Sequence, residues 1–171
     1  MTAGLDTRWL QGADPRLPLI RELSSADRLA LTLIFRHLGE TSRYQRFLGR
    51  KSELSERELD HLTAVDHWHR EALIAWSPVP RAPIAVARYE RCDEFDLAEL
   101  AIAVVDHWQR HGVGGELMLT LRERALRTGI RRFTATMLAS NRGALALVRR
   151  LAPDVAVHYY DGIAELSGSW R

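Results

Sequence analysis

The sequence predicts an α/β (α+β) fold, a mixed sheet packed between helices. Three observations point to it. Strand-like and helix-like periodicities alternate along the 171 residues. A long apolar run, Leu97 to Val105, has the texture of a central strand. It leads into Trp108-Gln109-Arg110-His111-Gly112-Val113-Gly114-Gly115, which opens a run of helical period from Glu116 to Thr128.

The elements follow in order. Leu17 to Leu23 reads as a short strand bent at Pro18. Ser24 caps a helix with apolar positions at Leu29, Leu31, Leu33, Ile34, Phe35 and Leu38, and Gly39 stops it. Helical pieces follow at Thr41 to Leu48 and Ser55 to Val65, the latter with the capping-box spacing Ser55-x-x-Glu58. Ala72 to Trp76 and Ile84 to Arg91 form a hairpin around the proline-rich turn 77–83. Gly112 to Thr128 is a helix ended by Gly129, with Leu117, Met118, Leu121 and Ala125 on one side. Phe133 to Leu138 is a strand, and Asn141 to Leu151 a helix halted before Pro153. Val155 to Tyr160 and Ile163 to Leu166 close the sheet around Asp161-Gly162. A single domain is expected over residues 1–171, with its core at about 17–166.

Composition narrows the function classes. No apolar run approaches the ~18–20 residues that span a bilayer, and the first residues lack a signal-peptide pattern. Cys92 is the only cysteine, so an internal disulfide is excluded and a reducing, cytoplasmic setting is expected. The net charge is +2, and Lys51 is the only lysine among 24 basic residues. The arginines form no dense block, which argues against nucleic acid as a partner.

A strand that ends in a glycine-rich turn and becomes a helix presents unpaired backbone N–H groups and the positive end of the helix dipole, a setting that binds phosphate. No Gly-Lys-Ser/Thr triplet supports a Walker loop, and Leu117 stands where a dinucleotide fingerprint needs a small residue. The glycines alone leave open a plain tight turn that lets the helix pack on the sheet.

Gln109-x-x-Gly112-x-Gly114 resembles the signature of the GNAT family of N-acetyltransferases, as do Val104-Val105-Asp106 before it and Asn141-x-x-Ala144 after it. Upstream, Ser42-Arg43-Tyr44-x-Arg46-Phe47 and Leu62-Thr63-x-Val65-Asp66 are similar to the acetyltransferase domain of bacterial protein lysine acetyltransferases. The resemblance implies a splayed sheet with acetyl-CoA as co-substrate and no metal. Backbone groups of Val104 and Val105 would pair with the pantetheine arm. The amides of Gln109, Arg110, His111, Gly112, Val113, Gly114 and Gly115 would hold the pyrophosphate. Asn141 would contact the arm from the other side, a role compatible with capping its own helix.

An amine attacks a thioester only when neutral. For a lysine of pKa ~10.4 that costs on the order of 4.6 kcal/mol at pH 7, a cost that a well-placed carboxylate taking the proton addresses directly. Glu99 is the candidate, a carboxylate inside the apolar stretch Leu97-Ala98-Glu99-Leu100-Ala101-Ile102. Burial there would raise its pKa. It precedes Val105 by six residues, roughly 20 Å of extended strand, which is comparable to a pantetheine arm. The lysine acetyltransferase relatives carry their base glutamate at the matching position. The alternatives are a Glu99–arginine pair or an exposed edge position, with Glu90, Asp93, Glu94 and Asp96 as a water-bridged base, an acidic rim for a cationic amine or an ordinary turn.

One departure from the family stands out. Val148 occupies the place of the tyrosine that protonates the leaving thiolate, and Ala152-Pro153 replaces the usual glycine-phenylalanine. Tyr159 and Tyr160 are substitutes in principle, although a strand-core role suits them better. His67-x-His69, with His61, raises a metal reading that no further ligand pattern completes. The expected partners are acetyl-CoA and an amine acceptor, a protein lysine or a small amine, with a homodimer left open. The competing function is an acyl-CoA-binding regulatory module without catalysis.

Overall fold

The computed structural model describes residues 18–170. They form a seven-stranded sheet in the order β1-β2-β3-β4-β5-β7-β6. The strands are β1 (Leu19–Glu22), β2 (Arg70–Trp76), β3 (Pro83–Arg91), β4 (Leu97–Val104), β5 (Arg132–Leu138), β6 (Ala156–Tyr160) and β7 (Ile163–Ser169). The helices are α1 (Arg28–His37), α2 (Glu40–Phe47), α3 (Glu56–Thr63), α4 (Val113–Arg127) and α5 (Arg142–Leu151). The α/β class and the order of elements match the expectation. Every strand pairing is antiparallel except β4–β5, which is parallel.

Local chemistry explains most of the boundaries. Ser24 opens a short 3-10 turn, Ser25–Asp27, rather than α1 itself. The Asp27 carboxylate accepts from the Ser24 N–H at 2.8 Å and from both terminal nitrogens of Arg21 at 2.8 and 2.6 Å, so β1 is clamped to the start of α1. Gly39 does not merely end α1; it is the N-cap of α2. Ser55 and Glu58 form the expected capping box of α3. Gly112 (φ +85°) and Gly129 (φ +86°) bracket α4, and left-handed backbone of this kind favours glycine at both ends.

Two cores flank the sheet. On one face Leu117, Met118, Leu121 and Ala125 of α4 and Val148 of α5 pack against Leu73, Ala87, Tyr89, Leu100 and Phe133. On the other, Leu31 and Ile34 of α1 and Leu59 of α3 cover Ala72 and Ile74.

The histidines of 61–69 sit beside acids of the chain. His67 and His69 precede β2 instead of sharing a strand face. His67 Nδ1 lies 2.8 Å from Glu71, and His69 Nδ1 lies 3.1 Å from Asp66. No group of residues suited to a metal ion occurs among the described residues. Nor, among them, is any helix long and apolar enough to cross a membrane.

Candidate active site

The β4–β5 ladder is short. It holds the pairs Leu97↔Arg132, Ala98↔Phe133 and Glu99↔Thr134, and then the strands part. Each keeps its other neighbour: β4 follows β3 as far as Val104, and β5 follows β7 as far as Leu138. The result is a wedge-shaped gap with Glu99 and Thr134 at its apex.

The Val105 N–H is committed to Ile84 O of β3 at 2.9 Å. By strand alternation, the backbone groups of Ile102 and Val104 therefore turn toward the gap. This corrects one detail of the expected pairing: Val104 lines the open edge, while the Val105 N–H is spent on β3. The Val104 carbonyl accepts from Gln109 Nε2 at 3.1 Å, and the same nitrogen lies 3.1 Å from Ser42 Oγ on α2.

At the wide end of the gap is the glycine turn. The Gln109 N–H bonds Asp106 O, and the ladder of α4 begins with Glu116 N–H to Gly112 O. Between them, the N–H groups of Arg110, His111, Gly112, Val113, Gly114 and Gly115 have no backbone partner among the described residues. Arg110 (φ +65°) and Gly112 (φ +85°) are both left-handed, which curls these amides into a concavity suited to an anion. A Cβ added at Gly112 or Gly115 would meet nothing within 4 Å, so the space before the turn is open. His111 Nδ1 folds back to Gln109 O at 2.8 Å. Across the gap, Asn141 Oδ1 caps α5 by accepting from Ala144 N–H at 3.1 Å, which leaves its amide NH2 for other work.

Glu99 is exposed, contrary to the burial expected for it. The apolar run does not bury both faces of β4. Ala98 and Leu100 enter the α4 core, while Glu99, Ala101 and Ala103 alternate to the other face, and Glu99 is open to solvent. Among the described residues Glu99 makes no ion pair. Three of the four nearby acids are engaged elsewhere: Glu90 pairs with Arg70 and His61, and Glu94 and Asp96 pair with Arg132.

Two residues absent from the sequence reading of the site share this face. Arg88 projects from the middle of β3, opposite Ala101, and Arg46 projects from α2. Both line a cavity of about 40 Å³ with Ala101 and Ala103. Burial and the charge of Arg88 pull the Arg46 guanidinium down to about 10, while Glu99 pulls the other way. Burial lowers Arg88 too, with Glu90 and Glu99 opposing. An arginine inside Ile84 to Tyr89 is as out of character as Glu99 in its own strand, and that signal could have found it.

Val148 is buried in the α4–α5 core. Tyr159 and Tyr160 are 53% and 41% exposed, not core residues, and the Tyr160 hydroxyl donates to Glu165 at 2.6 Å. They lie on β6, whose exposed edge position keeps their rings out of the core.

A parted pair of parallel strands, with a curl of amides at its mouth, fits the splayed sheet that the family resemblance implied. The sequence profile of the acetyltransferase (GNAT) family matches residues 40–152. The chain belongs to that family. It is similar to the GNAT domain of the S. lividans protein acetyltransferase PAT, with 26% identity over 88% of this chain and 89% of that one and a TM-score of 0.79. It shares its fold with a cAMP-binding acyltransferase from Mycobacterium smegmatis (23% identity, TM-score 0.61), covering 90% of this chain but only 44% of that one. A GNAT superfamily phosphinothricin acetyltransferase from Sinorhizobium meliloti, solved in complex with acetyl-CoA, also has this fold (19% identity, 90% and 88% covered, TM-score 0.69).

Proposed function

We propose that this protein transfers an acetyl group from acetyl-CoA to a primary amine by direct attack, with Glu99 accepting the amine proton. The observation that carries this reading is the end of the β4–β5 ladder at Glu99↔Thr134, with the gap beyond it leading to the unpaired amides of 110–115. Acetyl-CoA supplies the acetyl group already activated as a thioester. The amides of Arg110 to Gly115, backed by the dipole of α4, hold its diphosphate. The open edge of β4 at Ile102 and Val104 pairs with the pantetheine arm, and Asn141 donates from the far side. This lays the reacting end toward Glu99, which is exposed and free to take a proton from an incoming ammonium.

With Val148 buried, α5 offers no hydroxyl to the leaving thiolate, so solvent protonates it. A thiol near pKa ~8.5 leaves well enough without an acid. The likeness to the S. lividans protein acetyltransferase supports a protein amine as acceptor, and the fold shared with the phosphinothricin enzyme supports a small amine.

The test is thioester cleavage across a panel of peptides, polyamines and small amines, for wild type and Glu99→Gln. The expected result is amine-dependent cleavage that falls by about 10²–10⁴-fold in the variant, with acetyl-CoA affinity unchanged. Val148 favours one competing reading, a regulatory module that binds acyl-CoA without turnover. Equal, amine-independent background in both proteins would establish that reading instead.

A further inference from the structure

Arg88 is only 7% exposed, and its Nη2 has no hydrogen-bond partner among the described residues. A buried guanidinium with unmet donors is costly. The carboxylate in ion-pair range, Glu90 Oε2, stands 3.6 Å away, beyond hydrogen-bond reach. Glu90 is also shared, since it accepts from Arg70 Nε at 3.0 Å and faces His61 Nε2 at 3.2 Å. Arg46 adds a second cation to the same cavity, and among the described residues it makes no ion pair; its guanidinium lies over the Phe47 ring, 5.2 Å from the centroid. The remaining walls are apolar, with Leu31, Ile34, Phe35 and Val86 among them.

The cavity therefore asks for a small anion on an apolar stem. Its volume of about 40 Å³ corresponds to roughly three water-sized positions, which suits a carboxylate. It lies beside Glu99: Ala101 and Ala103 form part of its wall on the same face of β4, and Ala101 is two residues, roughly 7 Å, along the strand. A protein lysine brings only a cation to this place, where two guanidiniums oppose it. A short amino acid brings a carboxylate to the arginines and an amine to Glu99.

Resting on the transferase reading, the geometry points to an acceptor subsite in which Arg88 and Arg46 hold the carboxylate of a short amino acid while its amine faces Glu99. Arg88 and Arg46 are then specificity-determining residues, and the acceptor class is the free amino acid.

The experiment measures CoA release at saturating acetyl-CoA with glycine, β-alanine and 4-aminobutyrate, each beside its own amide, and with a lysyl peptide. Wild type is expected to prefer at least one free acid over its amide by about tenfold or more in kcat/KM, the scale of one charge-assisted hydrogen bond. Arg88→Met and, at a less buried position, Arg46→Gln should erase that preference through the acceptor KM, leaving acetyl-CoA affinity as it was. Acetyl-CoA binding reports whether each variant is folded, and Arg46→Gln alone suffices if Arg88→Met is not. Equal turnover of acids and amides, or faster turnover of the lysyl peptide, overturns the subsite while the transferase reading stands. So does an Arg46→Gln variant that slows acids and amides alike. Acetyl-CoA binding with no amine turned over overturns both.

Discussion

Asp106 reaches across to Gly39: its Oδ1 accepts the Gly39 N–H at 3.2 Å, at the N-cap of α2. Together with the bond from Gln109 to Ser42, this ties the helix that carries Arg46 to the turn proposed to hold the diphosphate. Removing either bond should loosen α2 more than the sheet. Asp106→Ala and Gln109→Ala are each expected to cost about 0.5–1.5 kcal/mol. Amide exchange across 40–47 should quicken in both, while protection in β3 and β4 stays high. Unchanged exchange in α2 would show that the tether has no mechanical role.

The glycines of the turn are not equivalent. Gly112 is left-handed, so Gly112→Ala should strain the backbone by about 1–2 kcal/mol and reduce acetyl-CoA affinity by displacing the amides on either side. Gly115 lies within α4 with no positive φ and open space around its missing Cβ. Gly115→Ala should therefore raise stability by about 0.5–1 kcal/mol through helix propensity and keep affinity within a few-fold. Thermal melts and calorimetric titration read both effects. Similar losses in the two variants would contradict the division.

Acid should loosen α3 through Glu58. A bond from Lys51, followed by those from the Ser55 backbone and hydroxyl, lowers the Glu58 carboxyl to about 2. A carboxylate with a depressed folded value contributes stability that is complete above its unfolded value and lost as pH falls toward the folded one. The window therefore runs from pH ~4.5 down to about 2. Glu58 is partly exposed, so the contribution is discounted to about 1 kcal/mol or less. Glu58→Gln should flatten the dependence of melting temperature on pH in that range, and an unaltered slope would show that the capping box carries no linked proton.

Packing at the end of β7 is intolerant of added volume. A Cβ on Gly168 would sit 2.6 Å from Cζ of Phe133, a fully buried ring stacked on Trp170 at 4.2 Å. The ring cannot move without disturbing that stack. Gly168→Ala should destabilise the protein by about 1–3 kcal/mol, measured by chemical denaturation. A neutral effect would mean that the Phe133–Trp170 stack shifts freely.

The parts legible in the sequence are those set by neighbours along the chain. Ser55 and Glu58 cap α3, Asn141 caps α5, and the spacing Gln109, Gly112, Gly114 announces a strand-to-helix turn, because each depends on contacts within a few residues. The strand and helix order was readable from periodicity for the same reason. The exposure of Glu99 was not, because an apolar strand reads alike whether one face or both are covered. Nor were the partial occupation of Val105 by β3, the exposed tyrosines of β6 or the acid partners of His67 and His69.

What the chain determined by itself is a fold class and a glycine-rich strand-to-helix turn, both written in short-range pattern. What tertiary structure alone decided is the point, after Glu99 and Thr134, at which β4 parts from β5, and the meeting of Arg46, Arg88 and Glu99 from three separate elements. Such contacts join residues tens of positions apart, and only the register of the sheet and the docking of α2 bring them within electrostatic reach.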